Sequence, residues 1–164
     1  MKVIFLDCDG VINSRRTVLA LGDCRPHVKD VDPIAIKLIG WIVNETGAKI
    51  VISSTWRMFY PLGWFTAMFK EFGQHHVEVI DKTPRDGTIR GNEIADWLSA
   101  HPEVLNYVII DDDADMLEEQ FPNFVRTSGR DGLLVDHAHR AVEILKGDKT
   151  SVYRDDFFDE GDEL

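Results

Sequence analysis

Val3-Ile4-Phe5-Leu6-Asp7-Cys8-Asp9-Gly10-Val11-Ile12-Asn13 is the stretch that decides the fold, because an apolar run ends there in two carboxylates and a glycine. Val3 to Leu6 show no polar alternation and are rich in β-branched and aromatic types, which predicts a short strand buried on both faces of a parallel sheet. In open α/β sheets the ligand crevice lies beyond the carboxyl ends of the strands, so Asp7 and Asp9 fall where chemistry is carried out. Two residues apart on extended backbone, they point the same way. Gly10 lets the chain turn sharply where a side chain would obstruct a ligand.

The same arrangement recurs along the chain. Residues 13 to 32 have no clear period and contain Gly22, Pro26 and several charges, which reads as a long loop. Asp32-Pro33 makes an N-cap and first-turn pair, and Ile34, Leu38, Ile39 and Ile42 follow at helical spacing as far as Asn44, before Gly47 breaks the helix. Lys49-Ile50-Val51-Ile52 predicts a second buried strand running out into Ser53-Ser54-Thr55-Trp56-Arg57. Trp64, Phe65, Met68, Phe69 and Phe72 form one helical face closed by Gly73, expected to pack in the core. Val77, Val79 and Ile80 suggest a third strand, followed by a turn-rich stretch that delivers Arg90 to a helix start, with Ile94, Trp97 and Leu98 facing inward. Val104 to Ile110 is the fourth and most apolar strand, and it ends in Asp111-Asp112-Asp113-Ala114-Asp115. Phe124-Val125 reads as a short fifth strand, and Val135 to Lys146 as a last helix stopped by Gly147. Alternating strands and helices call for a doubly wound, mainly parallel five-stranded sheet with every strand end on one edge.

Composition agrees with one globular unit. The chain has 164 residues, 44% hydrophobic and 29% charged, enough for a single core over residues 1–147 followed by an acidic tail at 148–164. No apolar run is long enough to span a bilayer and the start lacks a signal-peptide pattern, so a cytoplasmic protein without a membrane partner is expected. Cys8 and Cys24 are the only cysteines, and a disulfide framework is not expected. The net charge of −11 argues against a polyanionic partner, but much of it lies in the last ten residues, whereas Arg15, Arg16, Arg25 and Lys29 make residues 13 to 30 the basic part of the chain.

The strand ends and the third crossover would present Asp7, Asp9, Ser54, Arg90, Asp111, Asp112 and Asp115 to one crevice. Five carboxylates this close repel one another and shift each other's protonation unless a cation sits among them. Magnesium suits such a site, since it accepts one or two carboxylates and keeps positions for water and a phosphate oxygen. Trp56 and Arg57 either line the mouth, where a ring stacks a base and a guanidinium meets a phosphate, or pack inward. His137 and His139 lie two apart on a helix and do not share a face, so no zinc site is expected there or at His75-His76. Six residues separate Cys8 from Arg15 where a cysteine-phosphatase loop needs five.

LDCDGV resembles the first motif of the haloacid dehalogenase (HAD) superfamily of phosphohydrolases, DxDGT or DxDGV at the end of the first strand. A hydroxyl closing the second strand, a basic residue near a helix start and an acidic group closing the fourth strand follow in the superfamily's order. VISSTWR, a Thr-Pro before an arginine, EIADWL, YVIIDDDAD and a late GLL look like the small domains of Swiss Army Knife RNA repair proteins over roughly residues 1 to 146. A more distant similarity is to the phosphatase half of polynucleotide kinase-phosphatases. The resemblance implies a Rossmann-like HAD core without a large cap domain and a Mg2+-dependent phosphatase. Its substrate would be a nucleotide or a nucleic-acid terminal phosphate, the alternatives being a small metabolite phosphatase or a non-catalytic binding module. It implies Asp7 as nucleophile, Asp9 as general acid and base, Ser54 as a phosphoryl donor with Ser53 as fallback, and Arg90 on the transferring group. Metal ligands would come from Asp7, the Asp9 carbonyl, Asp111, Asp112 and Asp115. Gly10, Ser53, Thr55, Arg57, Arg15 and Arg16 are expected to meet substrate. A phospho-receiver domain is the rival on a related fold, but it requires paired acids after strand one, the target Asp after strand three and a lysine after strand five, where this chain offers Arg126.

Overall fold

The computed structural model describes residues 1–21, 31–85 and 87–147. Five parallel strands form one sheet in the order β3-β2-β1-β4-β5: β1 (Lys2–Leu6), β2 (Lys49–Ile52), β3 (Val79–Lys82), β4 (Asn106–Asp111) and β5 (Phe124–Arg126). The strand order starts at the centre with β1 and grows outward on both sides, so the chain must cross both faces of the sheet. Among the described residues five α-helices accompany it: α1 (Arg15–Leu21), α2 (Pro33–Thr46), α3 (Leu62–Glu71), α4 (Arg90–Ala100) and α5 (Val135–Lys146).

β1 is buried on both sides, as its unbroken apolar run requires. Ile4 and Leu6 enter a large core with Ile36 and Ile39 of α2, Phe65 and Phe69 of α3 and Ala141 and Ile144 of α5. Val3 and Phe5 enter a smaller core on the opposite face with Ile94 and Trp97 of α4. Phe5 meets Trp97 and Tyr107 edge-on at ring separations of 5.4 and 5.8 Å, contacts worth about 0.5–1.5 kcal/mol each beyond their buried area. Three helices therefore cover one face and α4 the other.

Helix ends follow local chemistry. The Asp32 carboxylate accepts from the N–H groups of Ile34 and Ala35, Pro33 occupies the first turn, and Gly47 closes α2 in the left-handed conformation. α5 has the expected limits and also stops at a left-handed glycine, Gly147.

One segment departs from expectation. Residues 13–32 read as loop, yet Arg15 to Leu21 form α1, two turns with only Thr17 buried. A helix this short with one buried residue leaves no amphipathic period to detect. Residues 22–30, with Cys24, Arg25 and Lys29, lie outside the described residues, as do Asp86 and the acidic 148–164 segment. The described residues between β2 and β3 form a 3-10 turn (Thr55–Met58) and the crossover helix α3, with no separate folded body. No described helix is long and apolar enough to cross a membrane.

Candidate active site

Sheet register builds the site. Leu6 pairs with Ile52 on one side and Ile110 on the other, so Asp7, Ser53 and Asp111 leave three adjacent strands at the same level. Backbone bonds carry the alignment one residue further: Asp7 N–H donates to Ile110 O, Ser53 N–H to Leu6 O and Thr127 N–H to Asp111 O, at 3.0, 3.0 and 2.9 Å. Gly10 turns the chain back with φ at +70°, and the Asp112 carboxylate occupies the space its Cβ would need.

Among the described residues, Asp7, Asp111 and Asp112 bring carboxylate oxygens within 4.8 Å of one another, a group able to bind a metal ion. Hard, closely spaced oxygen donors fit a small divalent cation. Protonation points the same way. Burial first, opposed by Arg90 and the Ser54 hydroxyl, holds the Asp7 carboxyl above its usual range, and burial together with the Asp7 charge pushes Asp111 up to about 8. Asp112 is raised by burial and by Asp7 as well. Without a cation this cluster does not carry its full negative charge near neutral pH.

Arg90 supplies part of the missing positive charge. Its Nη1 donates to Asp7 Oδ1 at 2.6 Å and lies 3.0 Å from Asp111 Oδ2, the second contact being an ion pair out of line for a hydrogen bond. Burial works against the guanidinium's charge, but Asp7, Asp111 and Asp115 outweigh it and raise its pKa. A cation at the first position of a helix is unfavourable toward the macrodipole, by about 0.3–1 kcal/mol. Asp115 offsets this: its Oδ2 accepts the Arg90 N–H at 3.0 Å and its carbonyl accepts the Gly91 N–H at 3.1 Å.

Several expected site residues are placed differently from the expectation. Asp115, expected beside the metal, instead caps α4 and stands outside the three-carboxylate group. Arg57, expected at the mouth, is buried with all five N–H groups engaged. Its Nε donates to Thr83 O, Nη1 to Ser53 O and Ser54 O, and Nη2 to Pro84 O and to Glu93 at 2.5 Å. It ties the β2 end to the loop that leads to Arg90, so substrate contact by Arg57 is corrected to a structural role. Glu93, 36 residues away, completes a pair that local sequence cannot reveal. Of the two serines, Ser54 interacts with Asp7 and caps the 3-10 turn by accepting from Trp56 N–H, whereas the Ser53 hydroxyl is buried without a partner among the described residues. Thr55 is exposed.

Asp9 is exposed and takes no part in the carboxylate group, but Trp56 Nε1–H and Asn13 Nδ2–H each donate to it at 2.8 Å. Neither contact was anticipated, nor was Thr127, whose hydroxyl donates to Gly10 O at 2.7 Å. Thr127 follows β5 directly, so the strand-end rule that selected Ser54 also points to it. Cys8 is fully buried, its thiol raised by burial and by Asp7, and its carbonyl accepts from the N–H groups of Val11, Ile12 and Asn13. His139 packs its ring edge-on to Trp41 and the His137 Nδ1 accepts the Leu134 N–H.

Beside the carboxylates runs an open groove of about 620 Å3 lined by Arg15, Arg16, Leu19, Ala20, Arg130 and Asp131. Its two walls are joined by backbone: Arg15 N–H donates to Gly129 O and Arg16 N–H to Arg130 O, both at 2.9 Å. Arg16 also pairs with Asp32 at 2.5 Å. Gly129 touches the site directly, since a Cβ there would lie 2.9 Å from Asp112 Oδ2. The groove thus begins one residue from the acidic cluster.

The family model described as HAD domain in Swiss Army Knife RNA repair proteins matches residues 3–138, from β1 into α5. No curated protein and no solved structure matches the chain significantly.

Proposed function

The chain belongs to the family of HAD domains in Swiss Army Knife RNA repair proteins, and from that premise we propose that it is a Mg2+-dependent phosphatase acting on a nucleotide or a nucleic-acid terminal phosphate. The observation that carries this reading is the Arg90 guanidinium held between Asp7 and Asp111, with Asp112 completing a compact acidic cluster at the sheet rim. Membership implies a phosphatase-like hydrolase, and the acidic cluster with Arg90 beside it supports phosphoryl transfer as the reaction.

Asp7 is the nucleophile. Its carboxylate oxygen forms a bond to phosphorus while the ester P–O bond breaks, and Asp9 gives its proton to the departing oxygen. Asp9 then takes a proton from water, whose oxygen bonds to phosphorus as the Asp7–phosphorus bond breaks and the Asp7 carboxylate is restored. Ser54 donates to a phosphoryl oxygen, and Arg90 offsets the charge of the transferring group. Asp7, Asp111, Asp112 and the Asp9 carbonyl would hold Mg2+, which neutralises the repulsion between a carboxylate nucleophile and a phosphate dianion.

A polymeric substrate is favoured by the groove. A polyanion approaching an acidic protein needs local positive charge, and Arg15, Arg16 and Arg130 bring three guanidiniums beside the site against the carboxylates of Asp131 and of Asp32, the partner of Arg16, with Leu19 and Ala20 as an apolar floor for sugar or base. The nearest internal phosphates of a strand whose terminal phosphate sits at Asp7 would meet these arginines.

The test compares Mg2+-dependent phosphate release from oligonucleotides with 3′ or 5′ phosphates, mononucleotides and sugar phosphates. Asp7→Asn should abolish release from all of them, and Arg130→Ala should raise KM for oligonucleotides several-fold while sparing mononucleotides. Phosphate release undiminished in Asp7→Asn would rule out the mechanism, and uniformly poor oligonucleotide turnover would rule out the end-processing substrate.

A further inference from the structure

Asp9 is exposed, and an exposed aspartate ordinarily samples several rotamers. Here both of its oxygens are held, Oδ2 by the Trp56 indole N–H and Oδ1 by the Asn13 amide, each at 2.8 Å. Neither donor is a mobile surface group. Trp56 is 8% exposed and sits in the 3-10 turn capped by Ser54, the same serine that faces Asp7. Its ring lies 6.0 Å from that of Tyr60 and 5.9 Å from that of Trp64, and those two rings stack on each other at 4.4 Å. Asn13 is fixed by its own backbone, donating to Cys8 O and accepting from Gly10 N–H, both at 2.9 Å. Its amide orientation is fixed as well, because turning it over would set Oδ1 against the carboxylate. That Oδ1 is buried without a partner among the described residues, so the amide satisfies Asp9 at the expense of its own acceptor.

We infer that Trp56 and Asn13 are positioning residues that clamp the Asp9 carboxylate in the orientation from which it exchanges a proton with the leaving oxygen and then with water. The inference rests on the acid–base role proposed for Asp9. A carboxylate oxygen has two acceptor positions, so one donor on each oxygen leaves a second position for the proton. The indole N–H stays on the indole throughout, and neither donor touches the phosphoryl group. The clamp joins two strand ends: Asn13 comes from the turn after β1 and Trp56 from the turn after β2, so the sheet register that aligns the nucleophile also aligns its acid.

The experiment uses two esters. p-Nitrophenyl phosphate releases a phenolate that leaves without protonation, whereas a phosphorylated oligonucleotide releases an alcohol that must receive a proton. Trp56→Phe keeps an aromatic ring and removes the N–H, and Asn13→Ala removes the other donor by an independent route should the first variant fold poorly. The expected result in each is a fall of about 10- to 100-fold in kcat/KM for the oligonucleotide, with a change of less than about threefold for p-nitrophenyl phosphate, a share of the roughly 100- to 10,000-fold that a positioned acid contributes. Combined with Asp9→Asn, neither variant should lower the oligonucleotide rate further. Equal losses on both esters, or losses that multiply with Asp9→Asn, overturn the clamp. Asp7→Asn is assayed beside them: if it keeps turnover of both esters, the parent mechanism fails, a result distinct from failure of the clamp.

Discussion

Replacing Gly10 by alanine adds one methyl group and should separate the fold from the site. Gly10 has φ at +70°, a conformation that costs an L residue about 1–2 kcal/mol. The new Cβ would stand 2.1 Å from Asp112 Cγ and 2.2 and 2.5 Å from its oxygens, so the carboxylate has to leave. It is half-buried and only the end of a flexible side chain, which makes its displacement cheap for the fold. For the site it is expensive, because the displaced carboxylate leaves the position from which it groups with Asp7 and Asp111. A domain of this size loses about 2–4 °C in Tm per kcal/mol, so the dihedral cost predicts a fall of about 2–8 °C in chelator. The loss of one of three carboxylates predicts at least about tenfold weaker Mg2+ binding, or about 1.4 kcal/mol. Thermal melts across a Mg2+ titration read both quantities, with Asp112→Ala as the companion variant. That variant should show the same loss of Mg2+ response without the backbone cost, and the double variant should lose no more. An alanine at position 10 that leaves the Mg2+ response and phosphate release at their original levels would refute both the packing argument and the assignment of Asp112 to the metal.

The pH dependence of stability should carry the signature of the acidic cluster. Asp111 has a pKa of about 8 in the folded chain against 3.8 for the free group, so between these values the folded state binds more protons than the unfolded one and stability falls as pH rises, by up to about 1.4 kcal/mol per unit. Asp7 and Asp112 are raised and act in the same direction. Mg2+ relieves this penalty, so the Tm difference between Mg2+ and chelator should widen from pH 5 to pH 8, and a constant difference would contradict the proposed metal site. Arg57→Ala strands a buried Glu93 and the buried Ser53 and Thr83 carbonyls, and chemical denaturation should show a loss of about 3–5 kcal/mol. In a cycle with Glu93→Ala the double variant should lose less than the sum of the singles, and simple additivity would argue against the pair.

What the sequence determined by itself was the order of elements and the chemistry at their ends. Unbroken apolar runs located β1, β2 and β4, a cap and a breaker bounded α2, and acids and hydroxyls recurring at strand ends marked the rim, because these signals are local and the parallel α/β pattern places all strand ends on one edge. Tertiary structure decided which of those rim residues meet. Asp7 reaches Asp111 because Leu6 pairs with Ile110, a register set by packing on both faces of the sheet rather than by either segment alone. Arg57 and Arg90 are both arginines near strand or helix ends, but a glutamate on α4 drew one into the interior while two rim aspartates held the other at the site. Asp112 and Asp115 lie in one acidic run, yet one rests on the bare face of Gly10 and the other caps α4. Residue type states what a side chain can do; burial and the partner arriving from a distant segment decide which of those things it does.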